Sequence, residues 1–267
     1  MAKSDFNAVS SELLIVRPDD EHSIALMRRA YHDIYEPAFP IADERDSLEK
    51  IETRLKAPVN GVKRVILLAG KNLKDPDAEK ANLAAIGIAY FYSSTGAGLL
   101  AYNAVAPDLQ GGGFGKMMVQ GRIKGLQELA VESGQELQSV IIEVNNPAKV
   151  RPEDDSMDPA KRIALFEKWG AKVIPVDYVQ PALGPGLEKS RNSLLMAYPL
   201  NGAYPTGDQV GAFVTGIWKA HDPNFAEDPE YQTTMSELKK WGGFKDMASP
   251  PPAAAPPASR SPAQNNP

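Results

Sequence analysis

Between Gln110 and Lys116 the chain reads Gln-Gly-Gly-Gly-Phe-Gly-Lys, and here residue type and spacing suit chemistry. An apolar, strand-like run from Leu99 to Ala106 ends at Pro107 and feeds the glycine cluster. Directly after it, Val119, Ile123, Leu126 and Ala130 recur at the spacing of one helix face. A strand, a glycine turn and a helix N-terminus together suit an anion. The first helical N–H groups have no partner within the helix, the helix dipole favours negative charge, and glycine lets backbone approach oxygen atoms closely. Two familiar phosphate loops do not fit. A dinucleotide fingerprint starting at Gly111 requires glycine where Lys116 stands. A P-loop ending at Gly115-Lys116 requires glycine in place of Gln110 and Ser or Thr in place of Met117.

The pattern that fits is Gln-x-x-Gly-x-Gly at Gln110, Gly113 and Gly115, preceded by Val-x-Pro from Val105 to Pro107. In these residues the chain resembles the GCN5-related N-acetyltransferase (GNAT) superfamily, whose acyl-CoA signature has this form. The resemblance spans about residues 11–200. It implies an α/β (α+β) fold with a mixed central sheet splayed between its fourth and fifth strands and flanked by helices. It also implies acetyl-CoA, or another acyl-CoA, as co-substrate. The pyrophosphate would then meet the backbone amides of Gln110, Gly111, Gly112, Gly113, Phe114, Gly115 and Lys116. Ala104 and Val105 would offer backbone groups to the pantetheine arm and the acyl carbonyl. Gln110 stands where the family often has arginine, so it hydrogen-bonds without adding charge.

Acyl transfer to an amine also needs a base, because an alkyl ammonium has a pKa of about 10.4 and is mostly charged at neutral pH. Glu143 is the first candidate. It lies near the end of a strand on which Val140, Ile142 and Val144 share one face, leaving Ile141, Glu143 and Asn145 on the other. By the resemblance, Tyr35, Glu36 and Glu44 lie in the region that lines the acceptor pocket. The helix from Ala160 to Trp169 resembles the family's fourth helix, but Phe166 occupies the position where many members carry a tyrosine that protonates the departing thiolate. Tyr178 is the candidate substitute, and unassisted departure is the alternative, since a thiol pKa of about 8.5 makes a tolerable leaving group.

The elements that position these residues follow the order β-α-α-β-β-β-α-β-α-β-β. Leu13 to Val16, Val65 to Ala69, Ile86 to Tyr92, Leu99 to Ala106, Val140 to Val144, Val173 to Tyr178 and Ser193 to Ala197 read as strands. A first helix runs from about His22 to Tyr35 and is broken by Pro37 and Pro40; a second carries Leu48, Ile51 and Leu55. The domain expectation is a tail over 1–10, an acyl-CoA-binding domain over 11–200, a helical extension over 201–247 and a disordered Pro/Ala-rich tail over 248–267. The extension's helices are expected over Asp208 to His221 and Tyr231 to Trp241, without a readable role.

Composition narrows the class. The 267 residues are 43% hydrophobic, enough for a core. No apolar run approaches the roughly 18 residues of a membrane span, and the N-terminus lacks the layout of a signal peptide. There is no cysteine, so disulfides, thiolate metal sites and an acyl-cysteine intermediate are excluded. His22, His32 and His221 are too scattered to suggest a metal site. A formal charge of −5 argues against nucleic acid as a partner and mildly favours a cationic acceptor. The expectation is a cytoplasmic N-acyltransferase with a small-molecule or peptide amine acceptor, no metal, and an open oligomeric state that includes a homodimer. The alternative is an acyl-CoA-binding module without turnover.

Overall fold

The computed structural model describes residues 7–40, 45–152, 155, 157–184 and 186–244. The tail expected over 248–267 lies outside them. The elements are β1 (Glu12–Ile15), α1 (Glu21–Ala30), α2 (Leu48–Lys56), β2 (Val62–Lys71), β3 (Asn82–Tyr92), β4 (Ala97–Val105), α3 (Phe114–Glu132), β5 (Ser139–Asn145), α4 (Pro159–Lys168), β6 (Lys172–Val173), β7 (Ser193–Tyr198), α5 (Gly207–His221) and α6 (Pro229–Trp241). Up to β7 this is the expected order.

Side-chain caps start most of the helices. Asp20, Ser47, Asp158, Thr206 and Asp228 each accept amide hydrogen bonds at the start of α1, α2, α4, α5 and α6. The first helix departs from expectation at Pro37. It widens into a π turn over Tyr31–Tyr35 and continues as Glu36–Ala38, instead of breaking at the proline. The wide turn moves the preceding carbonyls away from the proline ring, which would otherwise clash with a normal helical turn.

The sheet order is β1-β2-β3-β4-β5-β7-β6, antiparallel except for the β4–β5 pair. That parallel pair joins only Ala97, Gly98 and Leu99 to Ser139, Val140 and Ile141. Beyond Leu99 the two strands part, so β4 as far as Val105 has no strand partner on that side among the described residues. The splay therefore falls where the resemblance places it. A bulge accompanies it: Ile88 pairs with Tyr102 and Ala89 with Leu100, leaving Ala101 as an extra residue in β4.

The bulge leaves main-chain carbonyls that need donors, and Arg122 of α3 supplies them. Its Nη1 donates to the carbonyls of Tyr102 (2.6 Å) and Ile88 (3.3 Å), and its Nε to that of Met118 (3.2 Å). Gly87 makes room, since a Cβ there would stand 2.8 Å from Cδ of Arg122. Burial lowers the guanidinium pKa to about 10, which keeps it charged at neutral pH. Arg122→Met should strand these carbonyls and cost about 2 kcal/mol. Urea unfolding would measure this, and an unchanged midpoint would show that the bulge holds without its donor.

Helices cover both faces of the sheet. On one face α3 and α4 pack on Leu100, Val140, Ile142 and Met196. On the other, α1 and α2 cover Ile66, Leu68, Ile86 and Ile88, while α5 covers Leu99, Ile141, Leu195 and Ala197. Residue 200 is thus no packing boundary. The stripe Val210, Phe213, Val214 and Ile217 is buried core, and α5 finishes a sheet face that residues up to 200 leave half covered.

Candidate active site

The glycine turn joins the open end of β4 to α3. Gly113 caps α3 with φ 87°, and no side chain caps this helix, in contrast to the helices started by Asp, Ser or Thr. Only glycine adopts that conformation without strain. Gly111 also has φ of 83° and faces open space. Gln110, Gly111, Gly113 and Lys116 are exposed. The amide of Gly112 is spent on the carbonyl of Leu109 at 3.2 Å, so it does not belong to the anion-facing set expected for it. Phe114 is buried against Leu67, Ala69, Ala84, Ala85 and Met118, and its ring anchors the turn to the sheet. Gly115 serves a different need from the expected one. A Cβ there would meet the Trp169 ring at 2.6 Å, so its bareness lets the start of α3 approach the end of α4. Asn7–Ser10, expected as free tail, touches the turn: the Ala8 amide donates to the Gly112 carbonyl at 3.1 Å.

Ala104 and Val105 lie on the splayed part of β4, paired to Ile86 and Ala85 of β3 on its other side. Between them and the bulge stands Asn103, whose Oδ1 is buried without a hydrogen-bond partner. Sequence reasoning missed it. The signal was a polar side chain in an otherwise apolar strand, directly before the signature.

Glu143 sits on β5, on the side of the sheet shared with Ile141, as the alternation required. It is partly buried. The Tyr178 hydroxyl donates to its Oε1 at 2.5 Å, and Nε2 of Gln180 donates to its Oε2 at 3.0 Å. Burial raises the carboxyl pKa, and the two hydrogen bonds oppose that rise only in part. The result is a carboxylate of increased basicity, held in one orientation.

Tyr178 differs from expectation twice. It does not lie on a strand, because β6 ends at Val173 and Pro175 lacks the N–H that a continuing ladder needs. It also stands across the sheet from Phe166. Tyr178 packs with Ile141, Leu195 and α5, whereas Phe166 packs on the α4 face with its ring centroid 5.7 Å from that of Trp169. Burial pushes the Tyr178 hydroxyl well above its usual range, and its proton is committed to Glu143. Substitution for the missing thiolate acid is therefore not the role its position suits.

The acceptor-side candidates separate. Tyr35 is fully buried, its ring stacked among Tyr31, Phe39 and Tyr102, and its hydroxyl accepts the Asp46 amide at 3.2 Å. Glu36 is spent on the surface, paired with Arg45 at 2.7 Å and His32 at 3.3 Å. Glu44 lies outside the described residues. The nearby acid that sequence reasoning missed is Asp46, buried and bound by Lys50 (2.6 Å), Arg64 (3.3 Å) and the Tyr90 hydroxyl (2.8 Å). Fully paired, it ties the segment before α2 to β2 and β3. Among the described residues no three His, Asp or Glu side chains could together hold a metal ion, and no helix is long and apolar enough to cross a membrane.

No family model matches the chain, and no curated protein matches it. Solved structures similar to it include the ribosomal-protein-S18-alanine N-acetyltransferase from Escherichia coli (15% identity, 71% of this chain and 93% of that one, TM-score 0.43). Another is a Bacillus subtilis acetyltransferase in complex with CoA (14%, 72% and 99%, TM-score 0.43). A third is the PaiA N-acetyltransferase from Thermoplasma acidophilum in complex with coenzyme A (11%, 72% and 99%, TM-score 0.44). In this chain the sheet is mixed, with β4 and β5 parallel for three residues and then parted.

Proposed function

We propose that this chain is an acyl-CoA-dependent N-acyltransferase that passes an acyl group, acetyl in the first instance, directly to a primary amine. The observation that carries the reading is the parting of β4 and β5, with an uncapped glycine turn at the end of one strand and the buried-side carboxylate Glu143 on the other. The turn fits a pyrophosphate through the amides of Gly113, Gly115 and Lys116. Asn103 Oδ1, buried and unpartnered, fits an amide N–H of the pantetheine arm. A backbone N–H of β4 facing the acyl oxygen would stabilise the developing oxyanion by about 3 kcal/mol.

Glu143 takes the proton of the amine, directly or through water, as the nitrogen attacks the thioester carbon. The tetrahedral adduct collapses, the C–S bond breaks, and the thiolate leaves with the electron pair. Phe166 donates no proton, so departure rests on the low basicity of the thiolate. With no cysteine in the chain, no acyl-cysteine stands between donor and acceptor.

Phe166 also favours a second reading, binding of acyl-CoA without turnover. Mixing the chain with acetyl-CoA and a panel of primary amines separates the two. Transfer predicts free thiol released in step with N-acetylated amine, whereas tight binding without thiol release under any amine would leave the second reading.

A further inference from the structure

We infer that the helical segment beyond residue 200 is a working part of the base: α6 grips the main chain at Asp177 so that Tyr178 keeps its hydroxyl on Glu143. The inference rests on the reading of Glu143 as the base.

The segment that carries Tyr178 has little structure of its own. After β6 ends at Val173, the described residues form no strand before Ser193; the Ile174 amide still donates to the Leu195 carbonyl at 2.9 Å, and a bridge joins Gln180 to Ser190. Such a stretch does not by itself hold a hydroxyl 2.5 Å from a partly buried carboxylate. The hold comes from α6. The Asp177 amide donates to Oε2 of Glu237 at 2.7 Å, and the Thr234 hydroxyl donates to the Asp177 carbonyl at 3.1 Å. Both main-chain groups of the residue before Tyr178 are thus fixed by side chains one helical turn apart on α6. Thr234 is 1% exposed, so its bond is shielded from competing water. Beneath the Tyr178 ring, Val210, Phe213, Val214 and Ile217 of α5 belong to the same buried cluster.

The groups around Glu143 leave few other routes to its basicity. Tyr178 and Gln180 bond it from the irregular segment, and Tyr92 of β3 and Tyr102 of β4 interact with its charge. Its register neighbour on β7 is Leu195, and α5 presents the apolar side chains just named. The ion pairs nearest the clamp are remote or weak. Lys149 approaches the exposed Asp177 carboxylate at 3.9 Å, while Lys189 binds Asp228 and Glu230 at the start of α6. Loosening the clamp therefore acts on Glu143 through Tyr178. The Tyr178 hydrogen bond favours the charged carboxylate, so its loss raises the titration midpoint of Glu143.

The test is a carbon-13 titration of the Glu143 side-chain carboxyl in the full chain, its signal assigned by its disappearance in Glu143→Gln. Tyr178→Phe, Thr234→Val and Glu237→Ala should each move the midpoint up, by about one pH unit for Tyr178→Phe. Thr234→Ser, which keeps the hydroxyl, should restore the wild-type value. Tyr178→Phe combined with Thr234→Val should shift by less than the sum of the two single shifts, because the clamp acts in large part through the Tyr178 contact. Two α6 substitutions guard against a variant that fails to fold. A midpoint unmoved in a folded Thr234→Val or Glu237→Ala variant overturns the clamp, whatever Glu143→Gln does to turnover. A moved midpoint combined with full turnover in Glu143→Gln keeps the coupling but overturns its role in the base, and the base reading falls with it.

Discussion

Glu143→Gln should lower the rate of acyl transfer by about 10²- to 10⁴-fold while leaving acyl-CoA affinity nearly unchanged. The substitution keeps the size of the side chain and an oxygen for the Tyr178 hydroxyl, so what it removes is basicity. The hydrogen bonds of Glu143 go to Tyr178 and Gln180, and none goes to the pyrophosphate turn. The pH dependence carries a sign. Burial raises the carboxyl pKa, so the ascending limb of the rate should carry an inflection above the ordinary carboxylate range, and that inflection should be lost in the variant. Stability runs the opposite way. Between the unfolded and the raised folded pKa the folded state binds more protons, so raising the pH through that window costs stability. Glu143→Gln should therefore unfold at a higher temperature than the wild type at neutral pH. Calorimetric unfolding at pH 4 and pH 8 checks this, and a penalty that does not grow with pH would contradict the burial argument.

Gly113→Val and Gly115→Val should both abolish measurable acyl-CoA binding, for different reasons that stability separates. At Gly113 the obstacle is conformational, since φ of 87° strains a β-branched residue by about 1–3 kcal/mol. The added Cβ would have only Ala8 nearby, at 3.4 Å. At Gly115 the obstacle is Trp169, 2.6 Å from where the Cβ would be, so α3 and α4 must move apart. Overpacking of this kind costs about 1–3 kcal/mol. Gly115→Val combined with Trp169→Leu should recover part of the lost stability, and Gly113→Val with Trp169→Leu none. Titration calorimetry with acetyl-CoA, alongside urea unfolding of the four variants, distinguishes these outcomes. Wild-type affinity in both single variants would remove the turn from the site.

Much of this was legible in the sequence because short-range rules set it. The period of two along Val140 to Val144 placed Glu143 on the correct side of β5. The glycine cluster marked the start of α3 without an alignment. Other features depended on contacts that local pattern does not encode. Val173 to Tyr178 alternates well enough to resemble a strand, yet one missing N–H at Pro175 ends it and frees Tyr178 to turn toward Glu143. Pro37 reads as a helix stop, and a π turn carries the helix past it. Arg122 lies on the same helical stripe as Val119 and Leu126, a charge in an apolar row, and its purpose shows only once the bulge in β4 is seen. Gly115 fits a phosphate motif, but the packing of Trp169 requires it independently. The stripe of α5 was visible as amphipathic, while the sheet face it completes belongs to strands some 70 or more residues earlier in some cases, such as Leu99 and Ile141.

The most direct test of the central claim is a titration of nitrogen-15-labelled protein with acetyl-CoA, followed amide by amide. Saturable shifts should be largest at Gly111, Gly113, Gly115 and Lys116, with smaller ones at Asn103 and Ala104 on the open edge of β4. Saturable binding that leaves the glycine turn unshifted, or no binding at millimolar acetyl-CoA, would contradict that claim.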